Sequence, residues 1–581
     1  MKFITSGFLQ PVSGYALAGI VLLASANVYA QKTPTAYSTN QQVIDKGEAL
    51  FQKNCAECHN FRQKGIGPSL AGVTADDSYT FLSSFIMNSQ QLVKSGNKRA
   101  VALFNEFNKV PMPAHPELSK ADVNAILSFV NTHKKVVEVE KDPGDLGLAV
   151  TNPQPEKIAR AGITLKLTEF ASAPATSSKN PLTRINQTFV LKGPKGNRLF
   201  MLDLRGKLYE IKDKQFITVM DMAKLKPDFI SEPGLATGWG SYAFHPDFYK
   251  NGLLYTTHTE KKGSAPADFA YPDSIPVALQ WVVTEWKIKD PAASTFEATP
   301  RELFRVNMPS SMHGIQQIIF NPQAKPGSAD YGLLYVDIGD GGSAENGYLQ
   351  LCDNPEQIRA SVLRINPAGR DSKNGKYGIV TANTWAHDAD PNTLGEVYAR
   401  GFRNPNRISW APDGKVLVSE IGFTNQEEVN ILKPGLDYGW PYREGTFKLV
   451  FAGKKSGIYN LPEHDDPKYT YPVAEYDHDE GNSISGGFVY TGSIPMLKGK
   501  YIFGDIVKGR IFYVEYNDLK LGKQSIIKEF DLQFGGEKST FVDMVKNKKA
   551  DIRFGLGEND VLYIWAKTDG KIWQVTGCVN N

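Results

Sequence analysis

Cys55-Ala56-Glu57-Cys58-His59 decides how the front of this chain folds. Two thiols two residues apart, with a histidine directly after them, form the attachment pattern of a c-type haem. The thiols add across the two vinyl groups of the porphyrin, and the histidine is then placed to ligate the iron from one face. A zinc knuckle is the rival reading, but tetrahedral zinc needs two more soft ligands. The remaining cysteines, Cys352 and Cys578, lie far along the chain. A thioredoxin-type redox pair would sit beside a βαβ pattern, and none surrounds this motif. The pentapeptide therefore predicts haem c bound through Cys55 and Cys58, with His59 as an iron ligand.

On either side of the motif the pattern is helical. Ile44 to Lys53 reads as a helix that carries the motif at its end. Gly67-Pro68-Ser69-Leu70 is a tight turn that can set a backbone carbonyl against the His59 imidazole. Thr80 to Met87 is a further helix, expected to cover the haem. Leu118 to His133 is another, capped by Ser119, with Val123, Ile126, Leu127 and Val130 on one apolar face. Before it, Val110-Pro111-Met112-Pro113 holds a methionine in a loop fixed by prolines. From about 40 to 135 this unit resembles the class I cytochromes c, an all-α fold. The resemblance implies Met112 as the sixth iron ligand, with Met87 or an open position as the alternatives. Methionine plus histidine ligation raises the iron's potential and suits electron transfer.

The N-terminus suggests a compartment. Lys2, an apolar run from Tyr15 to Ala24, and Val28-Tyr29-Ala30 before Gln31 read as a signal peptide over residues 1–30. The run is too short to span a bilayer comfortably, so no stable membrane insertion is expected, an uncleaved anchor being the alternative. Export suits a covalent haem and predicts a periplasmic or secreted protein. It also permits a disulfide between Cys352 and Cys578, although two lone buried thiols fit as well.

At 581 residues the chain is too long for one core. A net charge of +3 is too near balance to argue for nucleic acid or an anionic membrane. Gly 52, Pro 34 and Tyr 25 lean towards a turn-rich β protein. Residues 136–181, rich in Pro, Gly, Ala and Ser, read as a linker that becomes the edge of the next domain. Over 182–581 a strand pair recurs six times: Asn197 to Ile211, Gly252 to Ile288, Gly332 to Ile365, Gly414 to Leu432, Gly499 to Tyr516 and Asp560 to Val575. Such a repeat predicts an all-β six-bladed β-propeller, with a two-sheet sandwich as runner-up. Propellers carry ligand sites on the loops at the mouth of their central channel.

Several loops there carry unusual chemistry. They include His313-Gly314, Gly339-Asp340-Gly341-Gly342, Gly401-Phe402-Arg403-Asn404-Pro405, Gly422-Phe423, Val429-Asn430, Tyr438-Gly439-Trp440-Pro441 and Lys508-Gly509-Arg510. Taken in order from Thr183 onward, they resemble the pyrroloquinoline-quinone (PQQ)-dependent sugar dehydrogenases, the soluble glucose, aldose and sorbosone enzymes. The resemblance implies His313 as the base that takes the substrate hydroxyl proton, Asp340 as its orienter, and hydride transfer to the quinone. It implies Arg403 and Asn404 against the quinone oxygen, and Lys508 or Arg510 against the cofactor's carboxylates. It also implies the carbonyls of Gly422 and Phe423 as oxygen ligands of Ca2+. Three departures stand out: Met312 precedes the base where many glucose enzymes have an acid, Gln316-Gln317 replaces a more usual Gly-Gly, and Lys546 to Arg553 lacks the usual Arg-x-Arg.

Together these readings predict a sugar or polyol substrate and a path from quinone to tethered haem to an external cytochrome or quinone. Two other classes stay open: a calcium-dependent propeller hydrolase of the lactonase kind, and a non-catalytic recognition propeller joined to a cytochrome.

Overall fold

The computed structural model describes residues 37–56, 58–62, 67–107, 109–134, 146–234, 236–451 and 455–581. The signal-peptide reading, and residues 136–145 of the expected linker, lie outside them. Among the described residues no helix is long and apolar enough to cross a membrane.

The front unit is helical: Gln41–Asn54, Val73–Asp76, Tyr79–Lys94, Lys98–Glu106 and Lys120–Thr132. Asn40 caps the first helix by accepting from the Gln42 and Val43 amides, satisfying donors that have no partner inside the helix. The last begins with a reciprocal capping box between Ser119 and Asp122. Its buried face is the expected one, Val123, Ile126, Leu127 and Val130, with Phe129 added. Phe51 from the first helix, Phe129 and Phe61 close into an aromatic cluster, and Phe61 stacks on His133 at 3.6 Å. The cluster clamps the two terminal helices around the haem motif. Helix Lys98–Glu106 went unread in the sequence because its apolar face is short.

The rest is mostly β. Six groups of strands, each antiparallel within itself, follow one another, and a further three-stranded sheet (Arg443–Glu444, Phe447–Val450 and Gly457–Asn460) is inserted within the fourth. Their leading strands are Ile185–Leu191, Trp239–Phe244, Ile318–Phe320, Pro405–Trp410, Ile484–Val489 and Ile552–Leu556. All six expected strand pairs occur as ladders, as in Leu334–Ile338 against Ser361–Asn366 and Leu562–Ala566 against Lys571–Asn580. Trp239, Trp281, Trp286 and Trp565 are fully buried between them.

The linker reading needs correction. Ala159–Ser172 is a strand, paired parallel with Lys528–Phe534 and antiparallel with Lys571–Asn580. It joins the last two groups into one nine-stranded sheet and ties the start of the β domain to its end. Ile163, Leu165 and Leu167 alternate with polar residues as a strand should, and they pack into the core there. Cys352 and Cys578 form no disulfide: Cys352 lies among Ala344, Phe423 and Trp440, whereas Cys578 sits opposite Leu165 in the long sheet.

The leading strands are level at one end. Arg407 donates to the Gln316 carbonyl (3.3 Å) just before one of them, and to the Asn186 carbonyl (2.8 Å) in another. Arg553 donates to the Asn186 side chain (3.2 Å) from a third. Gln317, one of the unusual pair, accepts from the Ile408 amide (2.5 Å) and so stitches neighbouring groups together. The loops at this end carry the chemistry.

Candidate active site

The haem motif is built around His59. Its Nδ1 lies 3.1 Å from the Pro68 carbonyl, in the turn the sequence marks out. Burial lowers the ring's pKa and outweighs that carbonyl, which raises it. The ring is therefore neutral, with a proton on Nδ1 and the Nε2 lone pair left for iron. Gly67 is required by close approach, since a Cβ there would stand 2.5 Å from the imidazole. Cys55 is buried and Cys58 half-buried beside it. Met112 is half-buried, its carbonyl accepting from Ser89 (2.9 Å). Met87 gives its carbonyl to the His115 amide.

The second centre sits at the level end of the β domain. His313 precedes strand Ile318–Phe320, and Asp340 follows strand Leu334–Ile338. The His313 Nδ1 lies 2.7 Å from Asp340 Oδ1. His313 has φ +48°, a left-handed conformation unusual for a side chain with a Cβ. Such strain at a buried polar residue is typical of a functional position. Gly314 follows it because the backbone lies on the Trp281 indole, and a Cβ there would be 2.1 Å from the ring.

Asp340 is fully buried and well supplied with donors. Oδ1 also accepts from the Gly342 amide (2.7 Å), and Oδ2 accepts from Trp440 Nε1 (3.1 Å), the Ala344 amide (3.3 Å) and the Cys352 thiol (3.9 Å). Burial alone would raise its pKa, but His313, and after it Arg403, hold the carboxyl below its ordinary value. An ionised carboxylate only accepts, so His313 carries its proton on Nδ1 and presents a basic Nε2.

Arg403 joins this site through its backbone, its carbonyl accepting from the Asp340 amide (2.8 Å). Its guanidinium is committed elsewhere. Nε and a terminal nitrogen bind Glu345, and the other nitrogen donates to the carbonyls of Ile421 and Gly422. Trp440 and Phe423 flank it. The free donor expected at Arg403 is thus saturated by Glu345, which the sequence reading passed over. Asn404 beside it keeps a buried Oδ1 without a partner. Glu420 accepts from the amides of both Arg403 (2.5 Å) and Asn404 (2.8 Å). Burial, and then Glu428, push its carboxyl well above the usual range.

Lys508 and Arg510 are likewise engaged. Lys508 donates to the Asp479 carbonyl (2.7 Å), and Arg510 bridges Glu480 (2.7 Å) and Glu529 (2.6 Å). Among the described residues no group of three or more His, Cys, Asp or Glu side chains is placed to hold a metal.

Two family models match this chain. Residues 193–533 match the glucose/sorbosone dehydrogenase model, more than half of the sequence. The chain belongs to the glucose/sorbosone dehydrogenase family. Residues 44–134 of this family member match the cytochrome c model, so a cytochrome c domain precedes the dehydrogenase-family domain. HIPL2 protein of Arabidopsis thaliana is 27% identical over 358 residues, 53% of this chain and 49% of that protein. Quinoprotein glucose dehydrogenase B of Acinetobacter calcoaceticus is 25% identical over 294 residues, 49% of this chain and 56% of that one. The chain thus spans about half the length of the curated relatives it matches. A solved glucose dehydrogenase superposes with a TM-score of 0.50 at 17% identity, covering 70% of this chain and 99% of its own. At that identity the likeness is one of fold.

Proposed function

We propose that this member of the family is a quinohaemoprotein that oxidises a sugar or a related hydroxyl or aldehyde substrate. PQQ would sit in a six-bladed propeller formed by the six strand groups. Electrons would then pass to the haem c and on to an external cytochrome or quinone, in the periplasm or outside the cell. The observation that carries the reading is the buried His313–Asp340 pair at 2.7 Å, with the Arg403 peptide bound to the same acid.

In this reading His313 Nε2 takes the proton of the substrate hydroxyl. Asp340 holds the imidazole in the right tautomer and stabilises the charge it gains. Trp440 and the Gly342 amide fix Asp340 in turn. The bound quinone supplies a two-electron acceptor beside the hydroxyl carbon. Asn404 is the amide left to face it, while Arg403 acts as a fixed positive charge behind. A calcium ion fits the neighbourhood of Gly422 and Phe423. Asn404 Oδ1 and Glu420 Oε2 are buried oxygens without partners, the hard donors calcium takes, and the Gly422 carbonyl keeps a second lone pair beside its bond to Arg403. For haem, the free Nε2 of His59 and the two adjacent thiols fit the group, with Met112 as sixth ligand. Met112→Ala should remove the sulfur-to-iron charge-transfer band of the oxidised protein; an unchanged band would discredit that ligand.

A likeness to Hedgehog-interacting protein of Homo sapiens, 26% identical over 327 residues (54% of this chain and 40% of that protein), favours a second reading, a recognition propeller without catalysis, and a lactonase-like hydrolase is a third. One experiment separates them. The full chain is dialysed against chelator and mixed with a panel of aldoses, polyols and aldehydes while the haem bands are followed. Reduction should begin only after PQQ and Ca2+ are added. Haem that reduces equally well without them, or never, would sink the relay.

A further inference from the structure

Asp340 opens a loop that runs to Cys352 and is folded back on its start. The Ser343 amide donates to the Asp340 carbonyl (3.1 Å), the Tyr348 amide donates to Ser343 (2.8 Å), and the Cys352 thiol returns to the Asp340 carboxylate. The outer turn of this loop touches the cytochrome domain. The Arg62 guanidinium, three residues past His59, lies over the Tyr348 ring at 4.8 Å from its centre. Gly347 makes this approach possible, because a Cβ there would meet Arg62 Nε at 2.8 Å.

We propose that Arg62 against Gly347 and Tyr348 is the docking seam through which electrons pass from the catalytic mouth to the haem. The inference rests on the dehydrogenase reading and names its internal partner. One short loop starts at the catalytic acid and touches the haem domain at its outer turn, so the two centres are set by the same piece of backbone. The substrate carbon gives up two electrons and two protons. The electrons cross singly, each turning ferric iron to ferrous, and an external one-electron acceptor such as ferricyanide reoxidises the iron between crossings. The seam is small, as contacts between redox partners are, and the covalent tether makes up for its weakness by effective concentration.

The same geometry supplies the test. The position a Cβ would take at Gly347 lies 3.6 Å from the Arg62 Cβ, within the span of a disulfide. In the full-length holoprotein, Arg62→Cys with Gly347→Cys should close this bond on mild oxidation, read by non-reducing peptide mapping. The locked protein should still reduce its haem with sugar at no less than the wild-type rate. Arg62→Ala should slow haem reduction about three- to tenfold, the range expected for one lost cation–π contact, and leave direct dye reduction unchanged. Failure of the crosslink to form overturns the seam. So does a locked protein that reduces dye but no longer reduces its haem. If wild type reduces no dye with any substrate, the dehydrogenase reading fails, while the crosslink still decides whether the domains dock here.

Discussion

His313→Ala lowers kcat for the reconstituted enzyme by about 10²- to 10⁴-fold, the usual contribution of a positioned general base. The loss should fall on kcat more than on KM, because Nε2 acts on the proton as it leaves rather than on substrate binding. The haem spectrum should not change, since His313 and His59 belong to separate domains. Asp340 keeps its bonds from Gly342, Ala344 and Trp440 in the variant, so the loop should hold. Stopped-flow reduction of a dye by aldose measures the loss directly. A variant that turns over normally would remove His313 from the chemistry and return the domain to a recognition role.

Gly314→Ala should damage the same site through packing. Its Cβ would enter the Trp281 indole at 2.1 Å from two ring atoms. Trp281 cannot yield easily, being 1% exposed in a cluster with Leu279, Val283, Met308 and Ile315. The peptide must move instead, and His313 moves with it. Overpacking of this kind costs about 1–3 kcal/mol, and displacing a catalytic group by about 1 Å costs on the order of 10²-fold in rate. The variant should therefore lose turnover together with a few degrees of melting temperature, whereas His313→Ala should lose more turnover and also melt lower, because it strips the buried Asp340 carboxylate of its imidazole partner. Calorimetry and kinetics on the two proteins test the contrast. Full activity in Gly314→Ala would mean that the His313 loop is not braced by Trp281.

The dehydrogenase-family domain is also tuned around the Arg403 peptide by acids that the sequence does not single out. Glu345 lies five residues after Asp340, and its pairing with Arg403 spans 58 positions. Trp440 reaches Asp340 across 100 positions. Neither partnership has a local signature, because each forms only when distant loops gather at one end of the sheets. The same gathering explains why Arg403, Lys508 and Arg510, which look like available cations in the sequence, are each bound to protein oxygens.

Local chemistry alone determined the haem pentapeptide, the Pro68 carbonyl against His59, the buried face of helix Lys120–Thr132 and the six strand pairs. Each depends on residues a few positions apart, where spacing and alternation suffice. His313, Asp340 and Arg403 stand out only through the resemblance of their loops, taken in order, to the PQQ-dependent sugar dehydrogenases, since each loop by itself carries a weak signal. Tertiary structure alone decided that strand Ala159–Ser172 completes the final sheet, that Glu345 neutralises Arg403, and that Arg62 rests on the loop that begins at Asp340. Those contacts join segments hundreds of residues apart or in separate domains, and only packing can choose among the many pairings the sequence would allow.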